Sequence, residues 1–234
     1  MDNVTVELYT RLIPMLTEAA KTDRILDLQD ILERFAFDNI CKLAFNYDPG
    51  CLPGGVRIGA NFMQAFGDAP ALSSGIFMYS VPYLRKLKKA LNIGSEGRLK
   101  KAISIVHEFA DIIIQTGLEK RSNVIEEDLL SRLIGNDESS PEFLRDIMIS
   151  FILTGRYTTS SALTWFFWIL CSNPEVQCSR LKELEEIRRR NPKLIGDSYR
   201  MEELRGMNYL HAAISEAVRL YPPKSGRHKS MPKR

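Results

Sequence analysis

The densest set of side chains able to hydrogen-bond or to receive a ligand lies inside an otherwise apolar stretch: Thr154, Gly155, Arg156, Tyr157, Thr158 and Thr159. Gly155, Thr158 and Ala162 stand at i, i+3 and i+7, so a helix places them on one face as a shallow strip of small residues. Such a strip admits either a flat cofactor or the close approach of another helix. The hydroxyls of Thr158, Thr159 and Ser160 can reach carbonyls one turn earlier, a contact that bends helices and opens their hydrogen-bond ladder. A second pair, Glu216 and Arg219, stands three apart on a short amphipathic helix stopped by Pro222 and Pro223. On physics alone it is a surface ion pair contributing about 0.2–0.5 kcal/mol. Cys41 and Cys171 fall on periodic helices and are expected as inert core thiols. Cys51 lies in the turn-rich run Asp48–Gly55 and Cys178 just after a helix start, and no Cys-x-x-Cys or Cys/His spacing points to zinc. His107, His211 and His228 are expected to be structural or solvated, so no metal ligand is assigned.

Thr154-Gly155-Arg156-Tyr157-Thr158-Thr159 and Glu216-Ala-Val-Arg219-Leu-Tyr-Pro-Pro223 together resemble two motifs of the plant haem-thiolate monooxygenases, the cytochrome P-450 superfamily. The surrounding text, including Asp27–Cys41 and Thr164–Trp168, resembles the plant clan that hydroxylates long-chain fatty acids and hormones derived from them. The resemblance runs from about residue 1 to residue 223 and implies a mainly α fold, the internal helical part of that architecture. It implies that Thr154, Gly155 and Thr158 face haem b, and that Thr158 is the oxygen-activation threonine. Tyr157 takes the place of the family's acid, and a phenol with a pKa near 10 is a poor proton donor or acceptor at neutral pH. Glu216 and Arg219 match the family's structural Glu-x-x-Arg.

The family's axial thiolate comes from a Phe-x-x-Gly-x-Arg-x-Cys-x-Gly loop, a context that none of Cys41, Cys51, Cys171 and Cys178 has. The resemblance therefore marks an internal fragment lacking the first sheet, the membrane anchor and the cysteine loop. As written, the chain is expected not to bind haem and to be inactive, or to be a non-catalytic helical remnant that binds a hydrophobic molecule or a partner. Implied partners of complete members are the NADPH-cytochrome reductase and a fatty-acyl substrate. Complete members sit on the endoplasmic reticulum, whereas this chain is expected in the cytoplasm.

Several elements must position these residues. Helical spacing predicts helices over Val4–Ala20 despite Pro14, over Asp27–Phe45 with Asp27 as N-cap, and over Ile58–Phe66. A less regular segment, Phe77–Leu91, carries a basic face at Arg85, Lys86, Lys88 and Lys89. Further helices are expected over Glu96–Glu119, Glu127–Ile134 and Glu175–Arg190, with no confident strand. The motif helix is expected to run for roughly thirty residues from Pro141, capped by Ser140, to Asn173-Pro174. By resemblance the region 60–90 belongs to the substrate roof, where Phe62, Phe66, Leu72 and Phe77 suit an aliphatic chain; they suit core packing equally. Between Asp146 and Glu175 the one charged residue is Arg156. An arginine at membrane depth costs about 2.5–3.5 kcal/mol, so a soluble core helix is favoured over a span.

At 234 residues and 44% hydrophobic composition the chain can bury a sizeable core. Residues 1–223 are expected to form one partial domain and 224–234 an unrelated basic tail. That tail holds five lysines and arginines; without it, 27 basic residues face 29 acidic ones, so it alone makes the net charge +3. No nucleic-acid partner is expected of it, and it looks like the accidental end of a reading frame. Apolar surface left uncovered by missing parts is expected to make the isolated chain partly molten.

Overall fold

A computed structural model describes residues 2–52, 61–69, 95–121, 129–134, 140–190 and 199–223. Among them every regular element is helical, and the mainly α expectation holds. The elements are α1 (Asp2–Glu7), α2 (Ile13–Lys21), α3 (Leu28–Phe45), α4 (residues 61–69), α5 (Ser95–Arg121) and α6 (Leu129–Ile134). After them come α7 (Pro141–Ser172), α8 (Pro174–Arg190), α9 (Met201–Arg205) and α10 (Asn208–Leu220). The chain divides into two compact units, one of residues 1–36 with 154–234 and one of residues 37–153. α3 and α7 are the helices through which the backbone passes from the first unit to the second and back.

In the first unit, the helix predicted over Val4–Ala20 is two helices joined by a π-helical turn, Leu8–Leu12. Pro14 explains it: an uninterrupted α-helix would need an N–H at position 14 to meet the Thr10 carbonyl, and the proline ring would strike that oxygen. Widening the turn ahead of Pro14 relieves the clash, and the Ile13 N–H bonds to the Leu8 carbonyl five residues back. Asp23, in the left-handed region at φ 50°, closes α2. Asp27 caps α3 as predicted, its Oδ1 accepting the Asp30 N–H at 3.1 Å. The core where α7 meets α10 is Phe166, Leu170 and Ala217, with Val176 of α8 and Leu210, Ala213 and Ile214 packed against it. α9, a five-residue helix, is too short to show in a periodic pattern. The Arg200 N–H bonds to Glu203 Oε2 at 2.6 Å at its start.

The second unit is built on aromatic rings. Phe62 lies 5.0 Å from Phe37, 4.2 Å from Phe109 and 5.0 Å from Phe66 between ring centroids. Tyr47 meets Phe109 edge-on at 5.9 Å. Phe62 and Phe66 are thus core residues joining α4 to α3 and α5. The loop after α3 turns at Asn46 and Gly50, both at positive φ, and is tied back by Asp38. That carboxylate is fully buried and accepts the Cys51 and Leu52 N–H groups at 2.9 and 3.0 Å. Arg145 of α7 pairs with Asp111 of α5 at 2.9 Å. Helix boundaries at α5, α7 and α8 agree with the expected ones to within two residues. Leu72, Phe77, the basic face of 85–89 and the tail with His228 lie outside the described residues.

Candidate functional site

The motif helix α7 begins where Ser140 Oγ accepts the Phe143 N–H at 3.2 Å. It continues without interruption for 32 residues, so the clustered hydroxyls do not break the ladder. Two of the three predicted back-bonds are present: Thr158 Oγ1 donates to the Thr154 carbonyl at 2.5 Å, and Ser160 Oγ donates to the Arg156 carbonyl at 2.6 Å. Thr164 Oγ1 adds a third, to Ser160, at 2.7 Å.

Arg156 fixes the rotation of this helix. Its guanidinium is buried and donates to Glu33 Oε2 of α3 at 2.6 Å. Sequence reading placed Arg156 in the motif without a partner, because Glu33 is 123 residues away. The signal was nonetheless present: one charge in a long apolar helix must be paired if it is buried. With Arg156 and Ser160 turned inward, helical geometry turns Thr154, Thr158 and Ala162 to the other side. Thr154 is exposed, and Gly155, Thr158 and Ala162 are part-exposed. The small-residue strip is therefore an open wall.

Tyr157 is half-buried beside this strip, and the Arg156 guanidinium lies 4.8 Å from its ring centroid. Burial raises its phenol above the ordinary value, the Arg156 charge opposes that rise, and Glu33 adds to it. The group stays protonated at neutral pH. It holds a proton where the motif expects a carboxylate.

The second motif lies on α10. Arg219 Nε and Nη2 donate to both oxygens of Glu216 at 2.7 and 2.6 Å, in a fork on the exposed face. The Arg219 hydrogen bonds, ahead of its charge, hold the Glu216 carboxyl below its usual range. Sequence reading missed what seats α10: Glu183 of α8 accepts the Tyr209 and Leu210 N–H groups at 2.7 and 2.9 Å. This is a cap supplied from another helix, invisible in local sequence. At the far end Tyr221 stacks on Trp165 of α7 with centroids 4.0 Å apart. His211 contacts the Leu204 carbonyl at 3.0 Å, a structural role as expected.

The cysteines divide two and two. Cys41 and Cys51 are buried, and burial, with Asp38 nearby, pushes the Cys41 thiol well above its ordinary value. Cys171 was expected in the core but is exposed, as is Cys178. The reason is phase: Leu170 takes the inward position at the end of α7, and the next residue turns about 100° away. Cys171 is also about 20 Å along the helix from Thr158, at 1.5 Å per residue. The strip leaves room for the face of a flat macrocycle, and Cys171 lies well away from it on the same helix. Among the described residues no group of three or more histidine, cysteine, aspartate or glutamate side chains is assembled to hold a metal ion, and no helix is long and apolar enough to cross a membrane.

The sequence profile of the cytochrome P450 family matches residues 1–232. The chain is 46% identical over 224 residues to cytochrome P450 CYP94D108 of Paris polyphylla, covering 95% of this chain and 45% of that protein. It is 45% identical over 223 residues to cytochrome P450 94A1 of Vicia sativa, covering 94% of this chain and 42% of that protein. With cytochrome P450 94C1 of Arabidopsis thaliana the identity is 40% over 231 residues, covering 94% of this chain and 44% of that protein. The chain spans less than half the length of these curated relatives. A profile match over nearly every residue, on a scaffold whose described elements are all helical and carry both motifs, places the chain in the cytochrome P450 family, among plant relatives of the 94 group.

Proposed function

We propose that residues 1–223 form one helical domain of a haem-dependent monooxygenase that hydroxylates long-chain fatty acids or oxylipins derived from them, with electrons from a reductase. The observation that carries this reading is the open strip Thr154–Gly155–Thr158–Ala162, turned outward by the buried Arg156–Glu33 pair. Thr154, Gly155 and Thr158 would hold one face of haem b, and the cofactor, when bound, supplies the oxidising chemistry at its iron. Thr158 contributes a hydroxyl that donates to the Thr154 carbonyl and keeps its oxygen free to accept. Tyr157 contributes a protonated phenol and no carboxylate, so proton delivery through this position is impaired. Glu216 and Arg219 serve the fold. None of Cys41, Cys51, Cys171 and Cys178 has the sequence context of the family's axial cysteine, so these 234 residues alone are inactive, and the whole protein works at the endoplasmic reticulum.

The test uses two proteins: this chain, and this chain joined to the remaining segments of a 94-group relative. The joined protein should show a thiolate-type reduced carbon monoxide band and convert a long-chain fatty acid to a hydroxylated product. Replacing Thr158 by Ala should lower product formation about tenfold or more, the lower range for a positioned proton-transfer group. In the same protein Tyr157→Asp should raise it. A thiolate-type band from the 234 residues alone, or full activity of T158A, would overturn the reading.

A further inference from the structure

Two of the four cysteines are buried together in the second unit, away from the motif helix. Cys41 is fully buried on α3, and Cys51 is buried in the loop that follows it. The path of the chain brings them to one place. α3 ends at Phe45, Asn46 turns through positive φ, and the Tyr47 N–H bonds to the Cys41 carbonyl at 3.2 Å. Gly50, again at positive φ, turns the chain a second time, and the Cys51 and Leu52 N–H groups end on Asp38 at 2.9 and 3.0 Å. The loop thus runs back along α3 from the level of Cys41 to that of Asp38, one turn nearer the start of the helix. Cys41 and Asp38 stand three apart on one face, and a helical side chain leans toward the N-terminus. The Cys41 thiol therefore points to the turn on which Cys51 is held.

Through-space effects agree with this placement. Burial, then the Asp38 carboxylate, then Cys51 raise the Cys41 pKa, and the Tyr47 phenol is raised by burial and then by both cysteines. The two thiols share one small compartment closed by the Asp38 bridge, and both are reduced in this structure. Core packing accounts for either sulfur singly; two thiols facing one compartment can also bond to each other.

We propose that Cys41 and Cys51 form an intramolecular disulfide that ties the loop of residues 46–52 to α3, a modification site independent of haem and of the monooxygenase reading. The oxidant is a small-molecule disulfide, oxidised glutathione. One cysteine sulfur attacks it and releases one glutathione thiol; the second then displaces the other glutathione from the mixed disulfide. Two protein thiols are oxidised, one disulfide is reduced, and the two protons leave on two glutathione thiols. Because the attacking form is a thiolate and the closed compartment keeps Cys41 protonated, exchange waits on the loop lifting from α3. Once formed, the bond closes the short ring of residues 41–51 and resists reduction, because the fold already holds its ends together.

The test uses the 234-residue chain with Cys171 and Cys178, both exposed, replaced by Ser, so that neither forms a competing disulfide. The folded protein, its helix content checked by circular dichroism, is equilibrated in glutathione redox buffers, quenched with acid and digested with trypsin without reduction. Cleavage after Arg34, Lys42 and Arg57 puts the two cysteines on separate peptides, 35–42 and 43–57. These should appear joined, and dithiothreitol should separate them. In the same buffers the ratio of joined to reduced peptides should be about tenfold or more higher for the folded chain than for the chain in urea, where loop entropy must be lost to bring the sulfurs together. By linkage, the oxidised chain should have a higher urea midpoint than the reduced one. Mixed disulfides with glutathione in place of the joined peptides, a ratio no higher in the folded chain than in urea, or a urea midpoint unchanged or lowered by oxidation would each overturn the proposal.

Discussion

At the residue scale, burial decides which side chains can react. Cys41 and Cys51 sit in the core and Cys171 and Cys178 in solvent, so an aromatic disulfide reagent should label two thiols rapidly and two only after unfolding. Four fast thiols, or rapid labelling lost in the double variant C41A/C51A, would contradict the placement. The raised Cys41 pKa has a pH consequence. The unfolded thiol ionises near pH 8.5 while the folded one stays protonated, so the stability it contributes is complete below that pH and is lost as pH rises above it. Denaturant midpoints should therefore fall above about pH 8.5, less steeply in Cys41→Ala. Asp38 acts through hydrogen bonds. It bridges two buried N–H groups of the loop, and Asp38→Ala should cost about 2–4 kcal/mol in urea melts by leaving both unpaired. A loss below about 1 kcal/mol would mean that water enters and replaces the carboxylate. Sequence could assign Cys41 to the core from its helical period but not Cys171. The last turn of α7 is apolar nearly all round, and only the position of α10 shows which side is inward.

At the scale of elements, boundaries were legible wherever a side chain close in sequence closes the helix, as Asp27 does for α3 and Ser140 for α7. They were not legible where the partner is distant. Pro14 marks a disturbance, but its form, a π turn rather than a kink, depends on how the first helix is held. The cap on α10 comes from Glu183, 26 and 27 residues earlier, and periodicity says nothing about it. The other end of α10 is fixed by Tyr221, stacked on Trp165 and edge-on to Trp168 at 6.0 Å. Trp165 and Trp168 are the chain's two tryptophans, so fluorescence reports this junction alone. Tyr221→Ala should shift emission to the red and lower stability by about 1–3 kcal/mol, the ring-pair contribution plus lost apolar burial. Tyr221→Phe should leave emission nearly unchanged. Unshifted emission in Y221A would show that the stack does not persist in solution.

At the scale of the whole chain, the backbone leaves the first unit through α3 after Ala36 and returns through α7 at Thr154. Glu33 and Arg156 lie three residues before the first crossing and two after the second, so one buried ion pair clamps both helices where they belong to the same unit. The open strip beyond it, and with it the proposed haem face, depends on that clamp to set the rotation of α7. Removing one partner strands the other charge in the interior, at a cost of about 3–5 kcal/mol, whereas replacing both by apolar residues of similar size is often neutral or stabilising. Glu33→Gln and Arg156→Met should thus each lower the urea midpoint strongly, and E33L/R156M should recover most of the loss. A double variant no better than the worse single variant would mean that the pair is needed as an ion pair, for the geometry of the helix crossing rather than for charge neutrality. Thermolysin cleavage near residues 153–156 distinguishes the two cases. Helix rotation by a missing clamp would expose the Phe151–Leu153 backbone to the protease in the single variants, and an apolar clamp that works would restore protection.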